Sequence, residues 1–352
     1  MSDQTDSLFK SLLRSFFKSI GAFLGVIIAM FIGIIMIGVS AADNHLSTTT
    51  YQSELTSKIQ PDDEDNLTEL NSSSPVILQI DIIGTIGLDK LTYAHTYQKL
   101  LEAQHGKTKG RIKAIFLRIN TPGGVVTDSD QIYRALMAYK HKHSIPIYAY
   151  VDGLCASGGM YIACAADKIF SSPSSLVGSV GVLLPTFFNI SQPLEQHGIL
   201  TKTIISGKDK DEMNPLRPWA ENEGQNYQEI TNIYYQQFVD IVVANRAEIS
   251  KEKLINEYGA HIFIAEKAKE LGYIDYPDAT REQALLALKY EAGIKEKYQV
   301  ISFHTQNWYK ELFTNKLSFL EGKVEHSFLL PGSLDKNLEG KFLYYYRSPV
   351  SL

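Results

Sequence analysis

The chain has 352 residues, of which 44% are hydrophobic and 21% charged, and its formal net charge is −5 at pH 7. This length suits one large domain or two modest ones. The acidic balance argues against a nucleic-acid-binding protein, which would usually carry a basic face. None of the nine histidines lies in a metal-ligand spacing such as CxxC or HExxH. We therefore expect no nucleic-acid partner and no metal.

An uncharged segment follows the polar N-terminus, residues 1–19. The twenty residues from Ile20 to Val39 carry no charge, and about 20 apolar residues suffice for a helix to cross a bilayer. We predict a transmembrane anchor over residues 20–41, with the N-terminus in the cytoplasm because Arg14 and Lys18 precede the span. A signal peptide cleaved near Ser40 and a buried soluble helix are the alternatives.

The folded part is predicted to begin near Pro75. Residues 42–74 are rich in Ser, Thr, Asn and Asp, a composition that predicts a flexible linker. Beyond it, strand and helix patterns alternate. The predicted strands are 76–83, 112–119, 145–151, 168–171, 177–183 and 201–205, and the predicted helices are 92–104, 128–141 and 160–166. This alternation is typical of an α/β domain with a mainly parallel sheet.

Helices predominate after Trp219. Apolar residues from Tyr227 to Ile241 recur every three or four positions and predict one amphipathic helix. Further helices are expected at 251–258, 265–271 and 281–292. We assign residues 75–295 to one domain and 296–352 to a C-terminal extension of uncertain structure. Its apolar segment, residues 342–346, is expected either to pair with a sheet edge or to occupy a groove.

Three short segments carry residues suited to chemistry. Ser157 lies among small residues that would let a peptide backbone come close, although a packing serine would look the same. Gly123 and Gly124 follow a strand and could aim N–H groups at an oxyanion, or could form a tight turn. Residues 206–211 contain Lys210 and are also typical of a solvated charged loop.

These segments together resemble the bacterial signal peptide peptidase A family. The segments are RINTPGG (Arg118–Gly124), CASGGMYIACAADKIFSSP (Cys155–Pro173), GSVGV (Gly178–Val182), SGKDKDEMNPLRP (Ser206–Pro218) and AEKAKELGYID (Ala265–Asp275). Members of that family are serine–lysine membrane proteases. The resemblance implies a Clp-protease/crotonase-like α/β fold, with a repeated ββα core, a helical extension and one N-terminal transmembrane helix.

The resemblance also implies a role for five residues. Ser157 falls on the nucleophile and Lys210 on the general base. Ser179 falls on the serine that hydrogen-bonds the lysine. Gly124 and Gly158 fall on the positions whose backbone N–H groups form the oxyanion hole. No metal or organic cofactor is implied.

Substrates, location and assembly follow from the same resemblance. It implies action on remnant signal peptides and other membrane-proximal peptides by a domain outside the bacterial inner membrane. It also implies homo-oligomers in which adjacent protomers share each active site. A free lysine has a pKa of about 10.4, and burial must lower this pKa before a lysine can act as a base. We therefore predict that Lys210 points into an apolar cleft while Asp209 and Asp211 face outward, with Lys208 as the fallback base.

Other functions must be weighed against this one. A Ser–His–Asp triad would need a histidine soon after GSVGV, and the first is His197, which has the setting of a surface helix residue. A crotonase-type acyl-CoA enzyme could use Gly124 but would rarely need a membrane anchor. A non-catalytic membrane scaffold, or a protease of one specific membrane protein, is the remaining alternative. The joint presence of Ser157, Ser179 and Lys210 favours a peptidase.

The chain departs from the family pattern at three places. Asn214 stands where a serine is common, and His261 stands near a usual arginine. Residues 183–188, LLPTFF, are unusually apolar and are candidates to line the substrate groove.

Overall fold

The structure is a computed structural model that describes residues 15–16, 18–33, 55–67, 69–305 and 341–346. The chain divides into two compact units, Met1–Gln52 and Ser53–Leu352. In the first unit, residues 18–33 form a helix, α1. Within the described residues, no helix is both long enough and apolar enough to cross a membrane. Residues 34–41 of the predicted anchor lie outside the described residues.

The second unit is built on β-strands. Those described are β1 (Leu55–Gln60), β2 (Val76–Ile83), β3 (Ile112–Thr121), β4 (Gly123–Val125), β5 (Ile147–Ala156), β6 (Lys168–Ser171), β7 (Leu176–Gly178), β8 (Ile262–Ile264), β9 (Gln299–Thr305) and β10 (Leu343–Tyr345). The main sheet has the order β1-β9-β2-β3-β5-β7-β8, and β6 pairs with β5. Among the described strand pairs of this sheet, β1–β9 and β7–β8 alone are antiparallel. β4 and β10 form a separate antiparallel pair.

Helices connect these strands. Those described are α2 (Tyr93–His105), α3 (Val126–His143), α4 (Gly158–Ala163), α5 (Ser191–Gln196), α6 (Gln225–Asn245), α7 (Lys251–Lys253), α8 (Ala265–Glu270) and α9 (Arg281–Glu291). A π-helical turn, Leu254–Tyr258, continues α7. α2 begins where the Thr92 hydroxyl accepts a hydrogen bond from the His95 N–H. The predicted alternation of strands and helices is therefore present.

Both faces of the sheet are covered, which explains why its strands are apolar runs rather than alternating patterns. Leu78 and Ile80 of β2 belong to the larger core, together with residues of α2, α3, α4 and α6. Ile77 belongs to a second core on the opposite face, with Leu285 of α9. Successive residues of a strand point to opposite faces, so one strand serves both cores.

Three predicted elements differ from the structure. Residues 201–205 are not a strand: they are exposed, with Ile204 at 87%, because an aliphatic run forms a strand only beside a pairing partner. The strand predicted over 177–183 ends at Gly178, since Ser179 has a left-handed φ of 56°. The predicted linker 42–74 contains β1, whose polar residues pair with β9. That pairing was not visible in local composition.

Asp275, the last residue of the AEKAKELGYID segment, makes a buried ion pair. Its carboxylate accepts hydrogen bonds from Arg246 Nη1 at 2.9 Å and from the Ile169 N–H at 2.8 Å. Burial raises the pKa of Asp275, but the Arg246 charge and the Ile169 hydrogen bond more than offset it. The pKa of Asp275 therefore lies below its usual range. The pair ties β6 to the end of α6.

We predict that Asp275→Asn lowers the free energy of unfolding by about 3 kcal/mol at pH 7, because it leaves the buried Arg246 charge unpaired. The unfolded-state pKa of an aspartate is about 3.9, and the folded-state value is lower. The loss of unfolding free energy relative to wild type therefore has its full size above about pH 5, and it disappears as the pH falls through the folded-state pKa. Urea unfolding of the variant and of wild type across this pH range measures the difference in unfolding free energy.

The matched control for that prediction is Asp240→Asn, which breaks an exposed ion pair with Lys251. Exposed pairs contribute about 1 kcal/mol or less. Equal losses of unfolding free energy in Asp275→Asn and Asp240→Asn would contradict a structural role for the buried pair.

Candidate active site

Ser157 lies at the junction between β5 and α4, and its backbone is strained. Its φ of 54° and ψ of −115° fall in a region that L-residues rarely adopt. Its N–H donates to the Gly178 carbonyl at 2.9 Å, and its carbonyl accepts from the Tyr161 N–H at 3.0 Å. Its hydroxyl lies 3.4 Å from the Gly181 carbonyl, to which it donates. Strain of this kind, held by bonds on both sides, is typical of a functional residue.

The small residues after Ser157 are required by close packing. A Cβ on Gly158 would lie 2.5 Å from Ser129 Oγ, and a Cβ on Gly159 would lie 2.5 Å from the methyl group of Thr121. The start of α4 therefore fits tightly beneath β3 and α3. The run of small residues fixes the position of Ser157 as well as leaving it approachable.

Ser179 occupies the equivalent position on the neighbouring strand. Ala156 of β5 pairs with Gly178 of β7. The next residues of the two strands, Ser157 and Ser179, therefore lie beside each other. Ser179 is 5% exposed, and its N–H donates to the His261 carbonyl at 2.7 Å. His261, which stands near a usual arginine of the family, thus contributes its backbone to the site.

The two glycines assigned to the oxyanion hole also converge here. Gly158 is the first residue of α4, so its N–H has no acceptor within the helix. A Cβ on Gly123 would lie 2.7 Å from the Gly158 nitrogen, so the backbone of β4 lies close to the start of α4. Gly123 and Val125 bond to Ile86 on one side of β4.

Gly124 faces the opposite side of β4. Along a strand, hydrogen-bonding groups of successive residues point in opposite directions, so the Gly124 N–H points away from Ile86. Thr121 supports this turn, because its Oγ1 accepts from the Gly123 N–H at 3.0 Å and donates to the Gly84 carbonyl. The structure therefore brings together Ser157, Ser179 and the backbone of the two assigned glycines.

Lys210 lies exposed in the loop 206–213 of the single chain, and not in the apolar cleft that we predicted. Its neighbour Lys208 is also exposed, with a side chain 92% accessible. Charged residues lie on both sides of Lys210, so this loop stays exposed to solvent unless another surface covers it.

The outward orientation predicted for both aspartates holds only for Asp209. Asp211 accepts a hydrogen bond from Arg217 Nε at 2.9 Å, and this bond lowers the pKa of Asp211. Arg217 also bonds to Glu223 at 2.8 Å and, with further backbone bonds, lowers the pKa of Glu223 to about 2. This network fixes the end of the loop next to Lys210.

Sequence reasoning missed a polar and aromatic cluster beneath the site. The Tyr161 hydroxyl donates to Asp130 Oδ1 at 2.6 Å and accepts from Gln237 Nε2 at 3.0 Å. The Tyr161 ring packs against Phe238 at 5.1 Å. The apolar spacing of α6 predicted that Phe238 would be buried, but no local signal indicated its partner.

Sequence reasoning also left open the place of the C-terminal segment. β10 lies along the free edge of β4, with Tyr344 opposite Gly124. On its other side, Leu343 exchanges two hydrogen bonds with Leu183, each 3.0 Å long. Leu183 begins the LLPTFF segment that we expected to line a groove.

A strained serine beside converging backbone N–H groups is an arrangement that a serine hydrolase site requires, and comparison with known proteins identifies the family. The model of the Clp protease family matches residues 74–177, and that of peptidase family S49 matches residues 139–295. A putative protease from Synechocystis sp. is 32% identical over 204 residues, covering 58% of this chain and 70% of that protein. The chain belongs to peptidase family S49, the family of signal peptide peptidase A.

Two further comparisons are partial. A putative signal peptide peptidase SppA from Enterococcus faecium is 32% identical over 185 residues, which is 53% of each chain. The chain therefore spans about half the length of that relative. A solved structure of a ClpP1 mutant from Listeria monocytogenes superposes with a TM-score of 0.38 at 15% identity, over 60% of this chain and 96% of that one. The expected Clp-protease-like α/β fold is confirmed by the family match over residues 74–177.

Proposed function

We propose that the protein is a membrane-anchored serine endopeptidase that cleaves remnant signal peptides and other membrane-proximal peptides with a Ser157–Lys210 dyad. One observation carries the proposal. The strained Ser157 lies beside two backbone N–H groups, those of Gly158 and Gly124, and an extended chain segment runs across them. An acyl-transfer site needs these three parts: a nucleophile, an oxyanion hole and an edge that holds a peptide.

In the proposed reaction, Ser157 Oγ attacks the carbonyl carbon of the scissile peptide bond while Lys210 Nζ takes its proton. The carbonyl oxygen becomes an oxyanion that the Gly124 and Gly158 N–H groups stabilise. Lys210 then gives the proton to the leaving nitrogen as the C–N bond breaks, leaving an ester on Ser157. Water, deprotonated by Lys210, hydrolyses that ester. The scheme requires no metal or organic cofactor.

We propose further that Lys210 reaches the site from a neighbouring protomer. The support is that Lys210 is exposed in its own chain and that apolar side chains beside its loop are uncovered. Leu200 is 91% exposed and Ile204 is 87% exposed, and apolar patches of this kind usually mark interfaces. An apolar neighbouring surface over the loop would supply the desolvation that a lysine base needs.

The membrane assignment is a proposal from sequence. Its support is the uncharged run from Ile20 to Val39 and the basic residues that precede it. We propose a single-pass anchor in the bacterial inner membrane, with the N-terminus in the cytoplasm and the catalytic domain on the other side.

Incubation of a synthetic signal peptide with the purified full chain in detergent micelles tests the proposed function. We expect mass spectrometry to detect fragments cut within the apolar part of the peptide, and we expect none with Ser157→Ala. An intact signal peptide after incubation with correctly assembled protein would contradict the proposal and favour the non-catalytic scaffold.

A further inference from the structure

Arg217, Asp211 and Glu223 form a network beside Lys210, with Arg217 at its centre. Arg217 Nε donates to Asp211 Oδ2 at 2.9 Å, and Arg217 Nη2 donates to the Asp211 backbone carbonyl at 3.0 Å. On the other side, Nη1 and Nη2 donate to the two carboxylate oxygens of Glu223 at 3.0 and 2.8 Å. The planar guanidinium thus bridges two carboxylates with paired bonds, a geometry that a lysine ammonium cannot reproduce.

Glu223 connects this network to the backbone of the folded domain. Its Oε1 accepts from the Met213 N–H at 2.6 Å, and its Oε2 accepts from the Ala220 N–H at 3.2 Å. Glu223 lies two residues before the start of α6, a helix whose buried side chains belong to the larger core. The network therefore ties residues 211–213 to a helix that is fixed by packing.

The loop that carries Lys210 has a backbone conformation that needs such support. Asp209 and Met213 have left-handed φ values of 57° and 63°, which residues with side chains seldom adopt. Such conformations persist where the surrounding structure holds them. Lys210 lies between these two residues, so the direction in which its side chain leaves the loop depends on both. Arg217 acts at this point, because its partner Glu223 accepts from the Met213 N–H.

We propose that Arg217 is a positioning residue for Lys210, the base of the proposed reaction. By bridging Asp211 and Glu223, Arg217 holds the backbone next to Lys210 in one conformation before the substrate arrives. A loop that is ordered in advance loses little conformational entropy when the base meets the serine. The inference rests on the peptidase function proposed above, and it applies whether the serine belongs to the same chain or to a neighbouring protomer.

Initial rates of peptide hydrolysis by the full chain in detergent micelles test this role. Arg217→Met removes every donor of the network at a similar side-chain length, and we expect it to lower kcat about 100-fold, a loss typical of a misplaced catalytic group. KM is expected to stay within about twofold, because the strand edge that would hold the peptide is untouched. An unchanged kcat, or a loss that appears only in KM, would overturn the proposal.

The conservative variant Arg217→Lys measures how much of the effect depends on the shape of the guanidinium. It keeps the positive charge, but a lysine cannot bond to Asp211 and Glu223 with paired donors. We therefore expect a loss of kcat of about tenfold, between wild type and Arg217→Met. A larger loss with Arg217→Lys than with Arg217→Met would overturn the proposal.

Arg111→Met is the matched control for Arg217→Met. Arg111 is half-buried like Arg217 and also holds a loop, since it donates to the Ser74 carbonyl at 2.8 Å and to the Asn71 carbonyl at 3.2 Å. It precedes β3, at the end of that strand opposite Thr121. We expect Arg111→Met to keep kcat within about twofold of wild type. Equal losses of kcat in the two variants would overturn the proposal.

A double substitution separates the positioning of Lys210 from support of the whole structure. In full-length protein carrying Lys210→Ala, adding Arg217→Met is expected to change the remaining rate by less than about twofold, because the side chain that Arg217 positions is already absent. The substrate is an activated aryl ester, whose leaving group departs without a proton from the base. A further loss of about 100-fold in this background would overturn the proposal.

Amide hydrogen exchange of the full chain tests the network without requiring catalysis. We expect Arg217→Met to speed exchange of the Met213 N–H at least about tenfold, while peptides from β5 exchange as in wild type. Where Arg217→Met does not fold, Arg217→Lys is measured in the same way, and unchanged exchange of Met213 would overturn the proposal. The two proposals fail separately. A wild-type protein that cleaves nothing would refute the peptidase function, whereas an active enzyme whose kcat is indifferent to Arg217→Met would refute only the role of Arg217.

Discussion

Replacing Ser157 with alanine is expected to lower kcat for peptide hydrolysis by at least about 10⁴-fold. The hydroxyl is the only protein group in the proposed scheme that forms a covalent bond to the substrate carbonyl carbon, and loss of a catalytic serine has effects of this size in other serine hydrolases. KM should change little, because the strand edge at Gly124 is untouched. Initial rates with a fluorogenic peptide measure both constants.

Ser171→Ala is the matched control for this substitution. Ser171 is as buried as Ser157, but its hydroxyl bonds to the Pro277 carbonyl at 3.4 Å, away from the site. We expect its kcat to stay within about twofold of wild type, as is usual for a residue outside the catalytic machinery. A Ser157→Ala protein that is folded and keeps more than about 1% of the wild-type rate would contradict the assignment.

Replacing Lys210 with alanine is expected to lower kcat by about 10³–10⁴-fold, because no other group in the proposed scheme takes the proton from Ser157. Lys208→Ala is the matched control, since it removes a lysine from the same exposed loop. We expect Lys208→Ala to keep its rate within a fewfold. A larger loss with Lys208→Ala than with Lys210→Ala would make Lys208 the base.

The Lys210 substitution also tests whether protomers share sites. Mixed oligomers of Ser157→Ala and Lys210→Ala subunits should recover activity, because some sites then combine an intact serine with an intact lysine from the neighbour. Mixing must be verified with differently tagged subunits. Mixed oligomers without any recovery would place both residues of each site in one chain.

The sequence predicted the sheet best where a strand is buried on both sides. β2 has the predicted bounds, Val76–Ile83, because an unbroken aliphatic run has only one stable place, between two cores. The same reasoning was wrong for residues 201–205, since an aliphatic run can equally lie exposed within a single chain. It also missed β1, which is polar and is defined by its pairing with β9. Pairing across more than two hundred residues leaves no local pattern.

The site was predictable to a similar degree. Ser157 and Ser179 were assigned to one site through the resemblance to the signal peptide peptidase A family, and in the structure they follow paired residues of neighbouring parallel strands. Lys210 remains a prediction, because a flexible charged side chain takes its position from whatever surface covers it. Tyr344 was missed because its partners, Gly124 and Tyr161, are separated from it by long stretches of chain.

The most direct test of the central claim is the covalent labelling of the folded wild-type protein with a serine-reactive peptidyl phosphonate, followed by peptide mapping. We expect a single adduct on Ser157, absent from Ser157→Ala and strongly reduced in Lys210→Ala, because phosphonylation requires the activated hydroxyl. An adduct on another serine, or labelling of Ser157→Ala at the wild-type rate, would contradict the assignment of Ser157 as the nucleophile.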